Sequence, residues 1–159
     1  MVHASYKSNN SIYTVELILN EAEIEKDLEV ITIPISNVIE YRKRMCLSVD
    51  QQLAYRVYKD GVSLAFMYNY KKDKKYFSAS IYSNDKVAFI LLLKTVFELN
   101  NSYCIFVNPH EGFVNKYKSF FSQTSLRRWY TAKQPIPIYK TRLWAIGEKL
   151  FYYLGIEHV

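Results

Sequence analysis

From Ser11 to Leu19 polar and apolar residues alternate, with Tyr13, Val15, Leu17 and Leu19 in step. A period of two places those four side chains on one face of a strand. The acid-rich stretch Asn20–Glu29 predicts a short helix or turn. Val30–Ile35 is β-branched but holds Pro34, which lacks a ladder donor, so it predicts an edge strand at most. Asn37 stands where it can cap a helix carrying Val38, Ile39, Tyr41, Arg42 and Met45. Leu53–Tyr58 and Val62–Tyr70 read as two strands about Lys59-Asp60-Gly61, and Asp-Gly supplies the positive φ of a tight hairpin. Lys71–Lys75 reads as a polar loop and Tyr76–Ser83 as a third strand, which completes an antiparallel meander.

The strongest helical signal comes next. Asn84 is the expected cap, and Asp85 at the first position suits the positive end of the helix dipole. Val87–Leu93 is apolar all round, and Val96, Phe97 and Leu99 continue it, so this helix is buried on most faces and lies across the sheet. Asn100-Asn101 ends it. Tyr103–Val107 is a short continuous apolar run, the mark of an interior strand, and Asn108-Pro109 breaks it. Gly112–Phe121 places Phe113, Val114, Tyr117, Phe120 and Phe121 near helical spacing. Ser125–Thr131 reads as a strand, and Pro135 and Pro137 make a stiff extended segment after it. Arg142–Leu154 reads as a closing helix, stopped by Gly155. This order predicts an α+β fold with a central mixed, largely antiparallel sheet flanked by helices. No repeat or break divides residues 1–159, so one domain is expected.

A chain of 159 residues buries enough surface to fold without disulfides or metal. Its four glycines and four prolines argue against a loop-rich disulfide scaffold and against a low-complexity linker. Cys46 and Cys104 are far apart and neither lies in a CxxC pair, which argues against a cysteine zinc site and fits a reducing compartment. His3, His110 and His158 are scattered, so no metal is expected. Met1–Asn10 is polar and Val87–Leu93 is too short to span a bilayer. The expectation is a cytoplasmic protein without a membrane partner, or one made in the cytoplasm and then packaged.

Charge adds a partner. The net charge is +6, but residues 1–30 carry −4 and the remainder +10. A basic body fits an anionic partner: nucleic acid, a phosphorylated cofactor or an acidic protein. The basic clusters are Arg42-Lys43-Arg44, then Lys71, Lys72, Lys74 and Lys75, then Lys116 with Lys118, and Arg127-Arg128 beside Trp129-Tyr130. These cations can neutralise phosphates, while Tyr70, Tyr76, Trp129 and Tyr130 offer rings to bases. The same residues also describe a solvated surface and a lysine-rich hairpin tip that resists edge pairing. No serine-hydrolase elbow, Walker loop or dinucleotide fingerprint is present.

Two stretches carry a family likeness. Tyr76-Phe77-Ser78-Ala79-Ser80-Ile81-Tyr82-Ser83 runs into a helix at Asn84. Cys104-Ile105-Phe106-Val107-Asn108-Pro109-His110-Glu111 leads into Gly112-Phe113-Val114-Asn115-Lys116-Tyr117. With the element order, these resemble the GNAT acyltransferases over about residues 53–121. The small size and Lys-, Asn- and Tyr-rich composition are most similar to GNAT-like proteins of bacteriophages, which include DNA-base modifiers and proteins carried in virions.

The resemblance implies acyl transfer from acetyl-CoA or another acyl-CoA to an amine. It implies a donor cleft between Ile81-Tyr82-Ser83 and Phe106-Val107-Asn108, with Asn84 and Lys86 at the start of the helix that faces the pyrophosphate. It assigns His110 or Glu111 to take the proton from the amine, and Tyr117 to protonate the leaving thiolate. Read without the resemblance, His110-Glu111 is a surface turn before a helix and Tyr117 a core tyrosine. One motif departs: the family's phosphate loop, Gln/Arg-x-x-Gly-x-Gly/Ala, corresponds here to Ser83–Ala88, which has no glycine. Asp85 repels phosphate there, and Lys86 partly offsets it. The alternative is a non-catalytic descendant, a structural or accessory protein that contacts nucleic acid or a protein through the basic, Tyr-rich face without a cofactor.

Overall fold

A computed structural model of the chain describes residues 2–31, 38–73, 75–100, 103–107, 121–124, 138–142 and 155–159. Among these, nine strands form one sheet. They are β1 (Val2–Ser8), β2 (Ser11–Leu17), β3 (Ala54–Lys59), β4 (Val62–Lys72), β5 (Lys75–Ser83), β6 (Tyr103–Val107), β7 (Phe121–Thr124), β8 (Ile138–Arg142) and β9 (Glu157–His158). The helices are α1 (Ile24–Val30), entered by a 3-10 turn at Glu21–Glu23, α2 (Val38–Asp50) and α3 (Lys86–Asn100). The spatial order is β7-β8-β6-β5-β4-β3-β2-β1-β9. Neighbours pair antiparallel except β5 with β6, which are parallel. The chain is thus α+β with a mixed, largely antiparallel sheet, as its pattern predicts.

Three tight hairpins build most of that sheet. Asn9 and Asn10 (φ 48° and 66°) turn β1 into β2, and Asp60 and Gly61 (φ 48° and 84°) turn β3 into β4. Positive φ at both central residues gives a turn whose twist matches the strands, and Asn, Asp and Gly tolerate it. The loop expected over Lys71–Lys75 is shorter than the sequence suggests. Pairing runs on to Lys72 opposite Lys75, and Asp73 adopts φ 50° between them.

The sheet is covered on both faces. Ala88, Ile90, Leu91, Leu92, Leu93 and Val96 of α3 are fully buried against Tyr13, Val15, Tyr55, Val57, Ala65 and Met67. Each such leucine contributes roughly 1.5–3 kcal/mol by leaving water. On the opposite face Ile24 of α1 and Met45 and Val49 of α2 pack on Ile18, Ala54, Phe66 and Tyr68. Along β4, Ala65 and Met67 therefore meet α3 while Phe66 and Tyr68 meet the other helices, the two-residue period of a strand buried on both sides.

A charged group is buried beneath α1. Arg56 Nη2 donates to Asp27 Oδ2 at 2.6 Å, and the Tyr68 hydroxyl donates to the same oxygen at 2.5 Å. Glu23 lies 3.2 Å from that guanidinium nitrogen. Burial raises the Tyr68 phenol well above its usual range, and the hydrogen bond and charge of Asp27 raise it further. Burial alone would weaken the Arg56 cation, but Asp27 and Glu23 more than restore it.

Several expectations are corrected. Val2–Ser8 is a strand that the pattern does not predict: within it only Tyr6 and Ser8 are buried, too few to set an alternation. Phe121 and Arg142, expected in helices, lie in β7 and β8, because a short apolar run does not by its spacing separate strand from helix. The edge strand expected over Val30–Ile35 begins inside α1 at Val30; its residues 32–35 lie outside the described residues. The helices expected over residues 112–120 and 143–154, and the strand over 125–131, also lie outside them.

Candidate active site at the end of β5

The parallel junction is short. β5 pairs with β6 at Phe77 opposite Ile105 and at Ser78 opposite Phe106. β6 ends at Val107, whereas β5 continues to Ser83. From Ser80 onward, β5 has no strand partner on its β6 side among the described residues. The cause lies one residue earlier. Tyr68 pairs with Ser80 and Asn69 with Ser78, so Ala79 is an extra residue, a β-bulge. A bulge bends its strand and increases its twist, which turns the last residues of β5 away from a straight neighbour. The opening thus lies at the carboxyl ends of two parallel strands, where sheets of this kind take ligands.

Two serines stand at its start. Ser78 Oγ and Ser80 Oγ flank the bulge; both are buried, and neither has a hydrogen-bond partner among the described residues. A buried hydroxyl without a partner costs about 1–3 kcal/mol, so such groups are usually answered by water or ligand. Ile81 joins the core under α3, and Tyr82 stacks on Phe66 with centroids 5.4 Å apart. Neighbouring residues of β5 therefore reach into opposite faces, which anchors the strand.

The turn into α3 is closed on itself. It comprises Asn84 and Asp85 alone. Asn84 Nδ2 donates to the Tyr82 hydroxyl at 2.6 Å, so Asn84 does not cap the helix. Asp85 does: its Oδ1 accepts the Ala88 N–H at 2.9 Å. Ser83 Oγ accepts the Asp85 N–H at 3.1 Å and donates to the Asp85 carbonyl at 2.6 Å. The same carboxylate takes the Tyr13 hydroxyl at 3.2 Å and has Lys59 Nζ at 4.0 Å. Tyr13 is pushed up to about 12, first by burial and then by the charge and hydrogen bond of Asp85. Lys86, the cation that could offset Asp85, is exposed at the first helical position.

The remaining candidates separate. His110, Glu111, Tyr117 and Asn108 lie outside the described residues, as do Lys74, Arg127, Arg128 and Trp129. Lys75 begins β5. Arg42 holds Glu25 through two hydrogen bonds, at 2.6 and 3.3 Å. Lys43 stands 3.9 Å from Glu40. Arg44 is buried on α2, with its guanidinium 5.5 Å from the Tyr41 ring centre. Arg42, Lys43 and Arg44 are thus not one exposed basic patch. Lys71 reaches over the Tyr76 ring at 5.3 Å, and Lys72 is exposed beside it. Tyr70, a candidate stacking platform by sequence, is buried against Phe77 with ring centres 5.4 Å apart. The carboxylate cap, the bulge and the two buried serines escaped sequence reasoning. The missing glycine was the signal that α3 starts differently.

Among the described residues no helix is long and apolar enough to cross a membrane. No family model and no curated protein matches the sequence. Solved structures do match the fold. An Arabidopsis thaliana protein in complex with the bisubstrate analogue CoA-Ac-MVNAL is 12% identical, with a TM-score of 0.57 over 81% of this chain and 97% of that one. The PaiA N-acetyltransferase of Thermoplasma acidophilum, in complex with coenzyme A, is 12% identical, with a TM-score of 0.53 over 80% of this chain and 98% of that one. An acetyltransferase of the GNAT family from Bacillus cereus is 15% identical, with a TM-score of 0.51 over 82% of this chain and 96% of that one. The chain has the GNAT acetyltransferase fold, and the likeness extends well beyond the stretch that carried it in sequence.

Proposed function

We propose that this protein transfers an acyl group from a thioester to an amine, with the thioester arm lying along the free edge of β5 between Ser80 and Ser83. The observation that carries this reading is the parallel β5–β6 pair, joined at Phe77 and Ser78 and with no further pairing among the described residues. The fold neighbours support it, since two of them hold coenzyme A or a CoA-derived analogue. Backbone groups on that edge offer an amide-bearing arm the hydrogen bonds that a strand would otherwise take. Ser78 and Ser80, on either side of the bulge and on opposite faces of the sheet, mark the inner end of that edge.

The reaction balances simply. The amine nitrogen bonds to the thioester carbonyl carbon, the C–S bond breaks, and the sulfur leaves with its electron pair. One proton leaves the amine and one reaches the sulfur, so the products are an amide and a free thiol. The resemblance assigns the first proton to His110 or Glu111 and the second to Tyr117.

The test is thiol release from acetyl-CoA and from S-acetylpantetheine in the presence of a panel of primary amines. Acyl transfer at this edge requires amine-dependent release from at least one thioester, reduced about tenfold or more in Tyr117→Phe. No release from either, with DNA binding that salt abolishes, would favour the non-catalytic alternative: contact with nucleic acid through Lys71, Lys72 and their neighbours.

A further inference from the structure

We infer that the acyl donor is held by its pantetheine-type arm alone, and that the start of α3 is closed to the diphosphate of a coenzyme A nucleotide by the carboxylate of Asp85. This rests on the reading of the β5 edge as the arm's site.

A helix N-terminus binds phosphate through free backbone N–H groups, a positive dipole end and a backbone that the anion can approach. Here the dipole end meets a carboxylate, and the third N–H of the helix is already taken. The Ala88 N–H already bonds to Asp85 Oδ1 at 2.9 Å. The Phe89 N–H makes the ordinary first bond of the helix, to the Asp85 carbonyl at 3.0 Å. The Asp85 N–H bonds to Ser83 Oγ at 3.1 Å. A negative charge sits at the helix start where the phosphates would bring theirs. It is held in place by Tyr13 at 3.2 Å, and Lys59 is 4.0 Å away. The two-residue turn leaves no loop that could wrap an anion. The capped, negatively charged turn does not fit a diphosphate. The substrate class is therefore an acyl thioester on a pantetheine-type arm, whatever group the far end of that arm carries.

The experiment compares coenzyme A with pantetheine by calorimetry, and tracks backbone amide shifts in the full chain and in Asp85→Asn. Asparagine caps a helix about as well as aspartate, so this variant keeps its fold while losing the charge. In the native chain the two ligands should bind within about threefold of each other, with the Ala88 amide unmoved. In Asp85→Asn coenzyme A should gain about fivefold or more over pantetheine, and the Ala88 amide should shift. Native binding of coenzyme A about tenfold tighter than pantetheine, with a shift at Ala88, would overturn the inference and leave the acyltransferase reading standing. The inference also fails if Asp85→Asn brings no gain. Binding of neither ligand would overturn that reading, and the inference with it.

Discussion

Tyr13 on β2 donates its hydroxyl to the carboxylate of Asp85 at 3.2 Å, tying the second strand to the start of α3. That carboxylate has two tasks, since it also caps α3 at Ala88. Asp85→Ala should cost about 1–2 kcal/mol through the lost cap and should strand the phenol. Tyr13→Phe removes only one partner of a part-exposed acid and should cost about 1 kcal/mol. Urea unfolding of the two single variants and the double checks this. The double variant should lose less than the sum of the singles, because they share a bond.

Alkaline stability should report the same contact. Tyr13 titrates near 12 in the fold, against 10.0 when unperturbed. The unfolded chain therefore releases this proton first, and the stability from Tyr13 is complete below about pH 10 and falls as pH rises toward 12. Tyr68 is raised as well and adds a fall of the same sign. Melting temperatures across pH 9 to about 12 should fall steadily, and Tyr13→Phe should flatten part of the slope.

Asp27 accepts from both Arg56 and Tyr68 and is itself buried. Asp27→Ala leaves a buried cation whose remaining anion, among the described residues, is the more exposed Glu23, and should cost about 3–5 kcal/mol. Replacing the pair with apolar residues, Asp27→Leu with Arg56→Met, should cost less than Asp27→Ala alone, since neither charge is then stranded. Chemical denaturation measures both.

Gln52 lies just past α2 in the left-handed region, φ 58°, with its N–H on the Val49 carbonyl and the Leu53 N–H on the Ser48 carbonyl. That is the helix stop at which glycine is usual. Gln52 is exposed, so Gln52→Gly should relieve backbone strain and stabilise by about 0.5–1 kcal/mol, read as a higher Tm.

How legible each segment is in the sequence depends on how strongly it is patterned. α3 is legible because a helix apolar all round from Val87 to Leu93 fits only a buried site, and Ala88 and Ile90–Leu93 are indeed fully buried. The meander is legible because Asp60-Gly61 marks its first turn and two-sided strands flank it. β1 is not, because its pairing with β2 rests on backbone bonds and an Asn-Asn turn more than on apolar side chains. The opening on β5 depends on a bulge at Ala79, and a bulge is a matter of register, which no single strand's sequence contains. The closure of α3 is half visible. The absent glycine and the presence of Asp85 can be read from the chain, but its bonds to Tyr13 and Ala88 need the fold.

The most direct measurement is a titration of the isotope-labelled protein with S-acetylpantetheine, monitored at the backbone amides. A thioester arm on the free edge of β5 predicts saturable shifts concentrated at Ser78 and Ser80–Ser83. Shifts absent from that edge at saturating thioester would contradict it, and β5 would then be a strand end with no ligand.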